Sequence, residues 1–244
     1  MRRNQKRDRI PALQVHGGFE KLRKGLFIMG ERWNRPENLF VLSAVKAAFV
    51  IIDMQNFSCA PSNGAMLCIG EVIMQINRLA DFCRTVRVPV IWVRQNITLD
   101  TTGDNAGLYP AFHDRSRLEN LCNKSKGTEI FSEMHFNPSV DYVVFKNRYS
   151  AFRSIPPELQ EKLDSLKRTQ LIFAGIAANV CVESTVRDAM QLDYEVALIS
   201  DCITTFDKTL LESTIGNTML FFGDVSTTEE IMEALREHAS YRAG

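Results

Sequence analysis

The sequence predicts an α/β fold, in which a mostly parallel sheet of about six strands is covered by helices on both faces. From residue 46 onward, short apolar runs alternate with segments whose apolar residues recur at helical spacing. Hydrophobic residues form 45% of the 244-residue chain, which suffices for the core of a large domain. Because strands that alternate with helices favour a parallel sheet, we expect a three-layer α/β/α, Rossmann-like arrangement.

The six predicted strands are short and largely apolar. The first, 47–52, ends in β-branched residues directly before Asp53, as expected of a buried parallel strand. The other five runs are 90–93, 142–145, 171–175, 196–200 and 219–222.

The predicted helices lie between these strands. The segment 71–86 places five apolar residues on one helical face: Val72, Ile76, Leu79, Ala80 and Cys83. Prolines in the first turn favour a helix over 156–166. The remaining predicted helices are 114–123, 181–192, 208–217 and 227–236.

Charge divides the chain into two parts. Residues 1–35 hold ten basic and three acidic residues, a net charge of +7, although the whole chain carries 29 residues of each sign. We interpret 1–40 as a basic, partly flexible extension and 41–244 as the folded domain. The extension is either a solvated tail or an arm that reaches a partner subunit or the entrance of a site.

The composition argues against several classes of protein. The balanced charge gives no overall field for nucleic acid or a membrane surface, and no apolar run approaches the roughly 18 residues of a membrane span. The N-terminus lacks the apolar segment of a secretory signal, so we predict a cytoplasmic protein. None of the six cysteines forms a CxxC pair, which argues against zinc-finger and thioredoxin-like sites.

Three reactive side chains follow predicted strands. Asp53 follows FVII, Lys146 follows VVF, and Cys181 lies at the turn between the strand 171–175 and the next helix. In a parallel sheet ligands bind outside the carboxyl ends of the strands, so we expect these groups to meet there. Taken singly, each has a simpler interpretation: a turn cap, a solvated strand end and a packing thiol. Their joint placement favours a site with a cysteine nucleophile.

The chemistry of such a site suits these residue types. A thiol at a helix N-terminus beside Lys146 should form its thiolate more readily than other buried thiols. Asp53 can accept the thiol proton and return it to a leaving amine. The four histidines do not follow obvious strands, so a Cys–His dyad is a minor alternative.

The segments around these residues resemble a known family. GIAANVCVESTVRDA, FVIIDMQN, VVFKNRYSAF and MLFFGDVST are similar to segments of the cysteine hydrolases of the isochorismatase-like superfamily, and above all to ureidoacrylate amidohydrolases. The resemblance covers about residues 45–238. Two features depart from the family pattern: Ala178 replaces the usual threonine, and the N-terminal extension is long.

The resemblance implies a role for each residue of the trio. Cys181 is the nucleophile, Asp53 the general base and acid, and Lys146 the charge that orients both. It also implies a cis peptide bond at Ile176–Ala177 and an oxyanion site formed by the N–H groups of Ala177 and Cys181. It implies no cofactor and no metal, because the D-x-H metal signature of the family's nicotinamidases is absent after Asp53.

Four further residues are candidates for substrate binding. Asn96 follows the strand 90–93, and Arg148 and Tyr149 follow Lys146. An arginine here would suit a substrate that carries a carboxylate. Gln55 is interpreted either as a residue that holds the Asp53 loop or as a simple turn hydrogen bond.

The resemblance implies an amidohydrolase that cleaves a small linear carbamoyl- or ureido-type amide through a cysteine thioester. A biuret or N-carbamoylsarcosine-type amidase is one alternative, and an isochorismatase-type vinyl-ether hydrolase that uses Asp53 as acid is another. A non-catalytic binding protein on the same fold is the alternative from a different class. We expect a small-molecule amide as substrate, no nucleic acid or membrane partner, and a homo-oligomer, either a dimer or a tetramer.

Overall fold

The sheet consists of parallel strands in the order β3-β2-β1-β4-β5-β6. The computed structural model describes residues 38–60, 66–97, 119–122 and 125–240. Within them the strands are β1 (Ala47–Ile52), β2 (Val90–Gln95), β3 (Tyr142–Lys146), β4 (Gln170–Gly175), β5 (Glu195–Ile203) and β6 (Asp224–Ser226). The strand order reverses between β1 and β4, so the two central strands form the switch point at which such sheets bind ligands.

Helices cover both faces of the sheet. They are α1 (Asn56–Cys59), α2 (Ile69–Thr85), α3 (Glu158–Leu166), α4 (Glu183–Gln191), α5 (Lys208–Asn217) and α6 (Thr228–Ser240). Short 3-10 turns lie at Lys126–Thr128 and Ala151–Arg153, and π-helical turns at Ala178–Val182 and Thr218–Phe222. Within the described ranges, no helix has the length and apolar character needed to cross a membrane.

The central strand β1 shows why the fold has three layers. Phe49 and Ile51 pack in one core cluster with residues of α2 and α6. Val50 and Ile52 pack in the other cluster, with residues of α3, α4 and α5. Since both faces of β1 are buried, its sequence is an unbroken apolar run, and the predicted three-layer α/β/α fold is confirmed.

The predicted strand 219–222 is wrong. These residues continue α5 as a π-helical turn, and the strand follows at Asp224–Ser226. Met219 is buried whereas Phe221 is 55% exposed, a pattern that suits a helix on the surface and not a strand within the sheet. Gly223 then lets the chain pass β5, because a Cβ at this position would lie 2.4 Å from the carbonyl oxygen of Val196.

Two predicted segments lie largely outside the described residues. The predicted helix 114–123 is described only at 119–122, and the predicted extension 1–40 only at 38–40. The first described segment is fastened to the sheet: the Leu39 N–H donates to the Asp224 carboxylate, and the Ser43 N–H donates to Gln170 Oε1 at 2.7 Å. Gln170 Nε2 in turn donates to the Val41 carbonyl oxygen at 2.9 Å.

The carboxyl ends of β1 and β4 approach each other closely. Gly175 ends β4 with φ +117°, and a Cβ there would lie 2.0 Å from the carbonyl oxygen of Ile52. On the neighbouring strand, Asp53 follows β1 with φ 56°, a left-handed conformation that Asp adopts more readily than most residues. The close approach brings Asp53 beside the segment that leads from β4 to Cys181.

We expect Gly175→Ala to destabilise the protein by about 2 kcal/mol or more, because the new Cβ meets backbone at a left-handed φ. The free energy of unfolding in urea measures this effect. Gly70→Ala in α2 is the matched control, since a Cβ there meets nothing within 4 Å. The control should be neutral or slightly stabilising. Equal stability of the Gly175→Ala protein and the parent would contradict the close approach.

Candidate active site

Asp53 lies at the centre of the carboxyl edge of the sheet. Its backbone N–H donates to the carbonyl oxygen of Val93 at 3.0 Å, which ties it to the neighbouring strand β2. Its side chain is buried, and its Oδ2 lies 2.9 Å from Lys146 Nζ. Its Oδ1 is also buried and accepts no hydrogen bond from the residues that the structure describes.

Lys146 reaches the same point from the end of β3. It is 1% exposed, and its ammonium donates to the carbonyl oxygen of Arg148 at 3.1 Å and to Gln95 Oε1 at 3.2 Å. It also lies 3.4 Å from Cys181 Sγ. The ammonium therefore links the carboxylate to the thiol, as the sequence led us to expect.

Cys181 is held in the π-helical turn between β4 and α4. The peptide bond between Ile176 and Ala177 is cis, which confirms the geometry that the family resemblance implies. The end of β5 fixes this turn, because the Ala178 N–H donates to the Thr204 carbonyl oxygen at 2.8 Å and the Thr205 hydroxyl donates to Asn179 Oδ1 at 2.6 Å. The thiol itself is buried.

Burial sets the protonation of the charged pair. It raises the pKa of the Asp53 carboxyl above its ordinary value, although the charge of Lys146 acts in the opposite direction. Burial alone would lower the pKa of Lys146, but the charges of Asp53 and Cys181 outweigh it and raise that pKa. Lys146 therefore stays protonated, and Asp53 is a stronger base than an exposed aspartate.

The expectation of a readily formed thiolate at Cys181 is wrong for the resting site. Burial raises the pKa of the Cys181 thiol well above its ordinary value, and the charge of Asp53 raises it further, against the effect of Lys146. The other cysteines are also poorly ionised: burial raises the pKa of Cys59 to about 12 and that of Cys122 to about 11. The direction of the pKa shift therefore does not distinguish Cys181 from these other cysteines.

Gln95 is the residue of this site that the sequence analysis missed. It ends β2, is 5% exposed, and its Oε1 contacts both Lys146 Nζ and, at 3.9 Å, Cys181 Sγ. The sequence pointed instead to Asn96, which follows the run IWVRQ, whereas Gln95 is the last residue of β2 itself. The signal that could have found Gln95 is a polar residue that ends a buried strand next to the strand of Lys146.

Gln55 is placed as a support and not as a substrate-binding residue. Its Nε2 donates to the carbonyl oxygens of Gln95 at 3.0 Å and Thr128 at 2.6 Å, and its Oε1 accepts the Gln95 N–H at 2.8 Å. Its amide thus joins the end of β2 to the turn at Lys126–Thr128. The interpretation that it holds the loop around Asp53 fits these contacts.

The other three binding candidates lie within three residues of Gln95 or Lys146 in the chain. The Asn96 N–H donates to the Lys146 carbonyl oxygen at 2.9 Å. The Arg148 guanidinium donates to the carbonyl oxygen of Asn147 at 2.7 Å, and Tyr149 is half-buried against the small cluster that includes Ile97. Among the residues with a described position, no group of three or more His, Cys, Asp or Glu side chains is arranged to hold a metal ion.

Proteins of similar sequence include two kinds of named amidase. A ureidoacrylate amidohydrolase of Variovorax paradoxus (strain S110) is 30% identical over 223 residues, which cover 82% of this chain and 85% of the relative. Nicotinamidase 3 of Arabidopsis thaliana is 29% identical over 196 residues, which cover 78% of this chain and 88% of the relative.

A solved structure and a family model agree with the fold. The cysteine hydrolase from Pseudomonas syringae pv. phaseolicola 1448A superposes with a TM-score of 0.75 at 22% identity, and the match covers 84% of this chain and 99% of that one. The model of the isochorismatase domain matches residues 47–230, from the first residue of β1 into α6. Because this match spans every strand of the sheet, the chain belongs to the isochorismatase domain family.

Proposed function

We propose that this protein is an amidohydrolase that cleaves a small linear amide of the carbamoyl or ureido type through a cysteine thioester. The observation that carries the proposal is the position of Lys146 Nζ, 2.9 Å from Asp53 Oδ2 and 3.4 Å from Cys181 Sγ. A base, a cation and a nucleophile in one buried cluster suit acyl transfer. The similarity to a ureidoacrylate amidohydrolase supports this class of substrate.

The first step forms the thioester. Cys181 Sγ attacks the amide carbonyl carbon while Asp53 takes the thiol proton. Asp53 Oδ1 can accept this proton, because it accepts no hydrogen bond from the described residues. Because the pKa of the thiol is raised, proton transfer accompanies the attack and does not precede it. Asp53 then gives the proton to the leaving nitrogen, and the C–N bond breaks.

The second step releases the acid. A water molecule attacks the thioester carbon and gives its proton to Asp53, the C–S bond breaks, and the thiol regains that proton. In both steps the N–H groups of Ala177 and Cys181 stabilise the negative oxygen, a role that the turn after the cis bond supports. Lys146 stays charged and stabilises the thiolate whenever it forms.

Arg148, Asn96 and Tyr149 are proposed to bind the rest of the substrate. All three are half-buried beside the trio. A guanidinium binds a carboxylate through paired hydrogen bonds, so Arg148 would favour a ureido acid over an uncharged amide.

A carboxamide attached to an aromatic ring is the second candidate substrate, because one relative carries the name nicotinamidase. The vinyl ether of isochorismate is the remaining alternative, since its cleavage needs an acid and no thiol. The same purified protein can be offered all three kinds of compound.

The decisive assay measures ammonia or amine released from N-carbamoyl and ureido acids, biuret and nicotinamide, and the 2-oxo acid released from isochorismate. We expect turnover of a ureido or carbamoyl acid, and Cys181→Ser should lower kcat by several orders of magnitude, on the order of 10⁴–10⁶-fold. Cys68→Ser is the control and should keep its activity. Cleavage of isochorismate alone, undisturbed by Cys181→Ser, would contradict the proposal.

Asp53→Asn should lose most of the activity, because Asn tolerates the left-handed backbone but cannot accept the proton. It should also lower the free energy of unfolding, because the buried Lys146 ammonium loses its partner. In the unaltered protein, kcat/KM should rise with pH as the Asp53 carboxyl loses its proton. Since burial raises that pKa, the rise should be centred above the ordinary value for aspartate. A rise centred at or below the ordinary value would count against Asp53 as the base.

Lys146→Met should destabilise the protein by about 3–5 kcal/mol at neutral pH, because it leaves the buried Asp53 charge without its partner. The pKa of Asp53 in the folded variant is then raised further, so the folded state binds a proton as the pH falls and the deficit shrinks toward acid pH. Urea unfolding between pH 5 and 8 measures this. The exposed Lys208→Met is the control and should change stability by roughly 0.5 kcal/mol or less. A deficit that is independent of pH would refute the pairing.

A further inference from the structure

Gln95 is the neutral group that touches both the cation and the nucleophile. Its Oε1 lies 3.2 Å from Lys146 Nζ and 3.9 Å from Cys181 Sγ. An ammonium has only donors, so the amide atom that faces Lys146 is the oxygen and not the nitrogen.

The ammonium has three N–H donors and four neighbours that compete for them. Three neighbours are oxygens: Asp53 Oδ2 at 2.9 Å, the Arg148 carbonyl at 3.1 Å and Gln95 Oε1 at 3.2 Å. The fourth is Cys181 Sγ at 3.4 Å. When each of the three oxygens accepts a hydrogen bond from the ammonium, no N–H remains for the sulfur.

Gln95 is held firmly in this position. Its backbone N–H and carbonyl oxygen both bond to the Gln55 amide, at 2.8 and 3.0 Å. Gln55 is itself buried and bonded to the Thr128 carbonyl oxygen. The backbone of Gln95 is therefore fixed beside Lys146 and Cys181, and its side-chain oxygen contacts both.

We propose that Gln95 is a positioning residue that keeps the resting nucleophile in its thiol form. Its Oε1 accepts the S–H of Cys181 and occupies the Lys146 N–H that would otherwise stabilise a thiolate. The inference rests on the proposed role of Cys181 as nucleophile. With Gln95 in this role, the Cys181 thiol is protected from electrophiles and oxidants until a substrate carbonyl arrives and Asp53 removes the proton.

Three effects of Gln95 act in the same direction. Accepting the S–H favours the thiol, the negative end of the amide dipole disfavours a nearby thiolate, and Lys146 has one N–H fewer for the sulfur. The charged groups that act on the thiol are Asp53 and Lys146. On the adjoining helix α4, Glu183 is already paired with Arg187 and the Thr214 hydroxyl.

Alkylation of Cys181 by iodoacetamide, followed by peptide mass mapping, tests the proposal in the free enzyme. Gln95→Met keeps a similar length but removes the acceptor, so Cys181 should react about tenfold faster near neutral pH, as for a thiol pKa one unit lower. Gln95→Glu keeps the shape but adds a negative charge, so Cys181 should react more slowly. Mere loosening of the site would accelerate both variants.

Gln170→Met is the matched control. Gln170 is an equally buried glutamine with hydrogen bonds to Ser43, Val41 and Glu195, but it begins β4 at the opposite edge of the sheet. This variant should lose thermal stability and react at the unaltered rate. Unchanged or equally accelerated alkylation in both Gln95 variants overturns the proposal. If Gln95→Met does not fold, Gln95→Glu decides alone, and a rate at or above that of the parent overturns it.

Because alkylation uses no amide substrate, the two proposals fail separately. If the unaltered protein cleaves no amide but its Gln95 variants alkylate at opposite rates as expected, the proposed function is wrong and the role of Gln95 stands. If an amide is cleaved and the alkylation rate of Cys181 is the same in the parent and in both Gln95 variants, only the role of Gln95 is wrong.

Discussion

The buried ion pair between Lys146 and Asp53 is the interaction on which the rest of the site depends. Either charge alone would cost several kcal/mol to bury, so the fold has to deliver both together. The strand order does this: β1 and β3 flank β2, and Asp53, which follows β1, meets Lys146, the last residue of β3. Gln95, at the end of β2, fills the space between them and satisfies the ammonium.

The same burial determines how the site can work. Both side chains are buried, so the carboxylate becomes a stronger base and the thiol a weaker acid. A free thiolate is therefore disfavoured at rest, and in the proposed mechanism Asp53 removes the thiol proton only as the sulfur attacks a carbonyl. In that mechanism the Lys146 ammonium would stabilise the thiolate as it forms, because it lies close to both Asp53 and Cys181.

Residues 125–141, the described segment that leads into β3, are fastened to the sheet and to α2 by buried polar groups. Asp141 accepts hydrogen bonds from Arg84 on α2 and from the Trp92 indole on β2, at 2.7 and 2.9 Å. Asn77 on α2 bonds the backbone of Glu133 and His135, and Gln55 bonds Thr128. These contacts hold the segment 125–141 against β2 and α2, although its sequence has no regular pattern.

The sequence by itself predicted the layers of the fold and the meeting of Asp53, Lys146 and Cys181 at one edge of the sheet, because both depend on local patterns: unbroken apolar runs and the polar residues that follow them. It misplaced β6, because the apolar segment after α5 has the composition of a strand and its burial on one side is a property of the packed molecule. It missed Gln95, because the true end of β2 is decided by pairing with β3. Only the tertiary structure decided the ionisation of Cys181, since exclusion of water and the charge of Asp53 come from parts of the chain far apart in sequence.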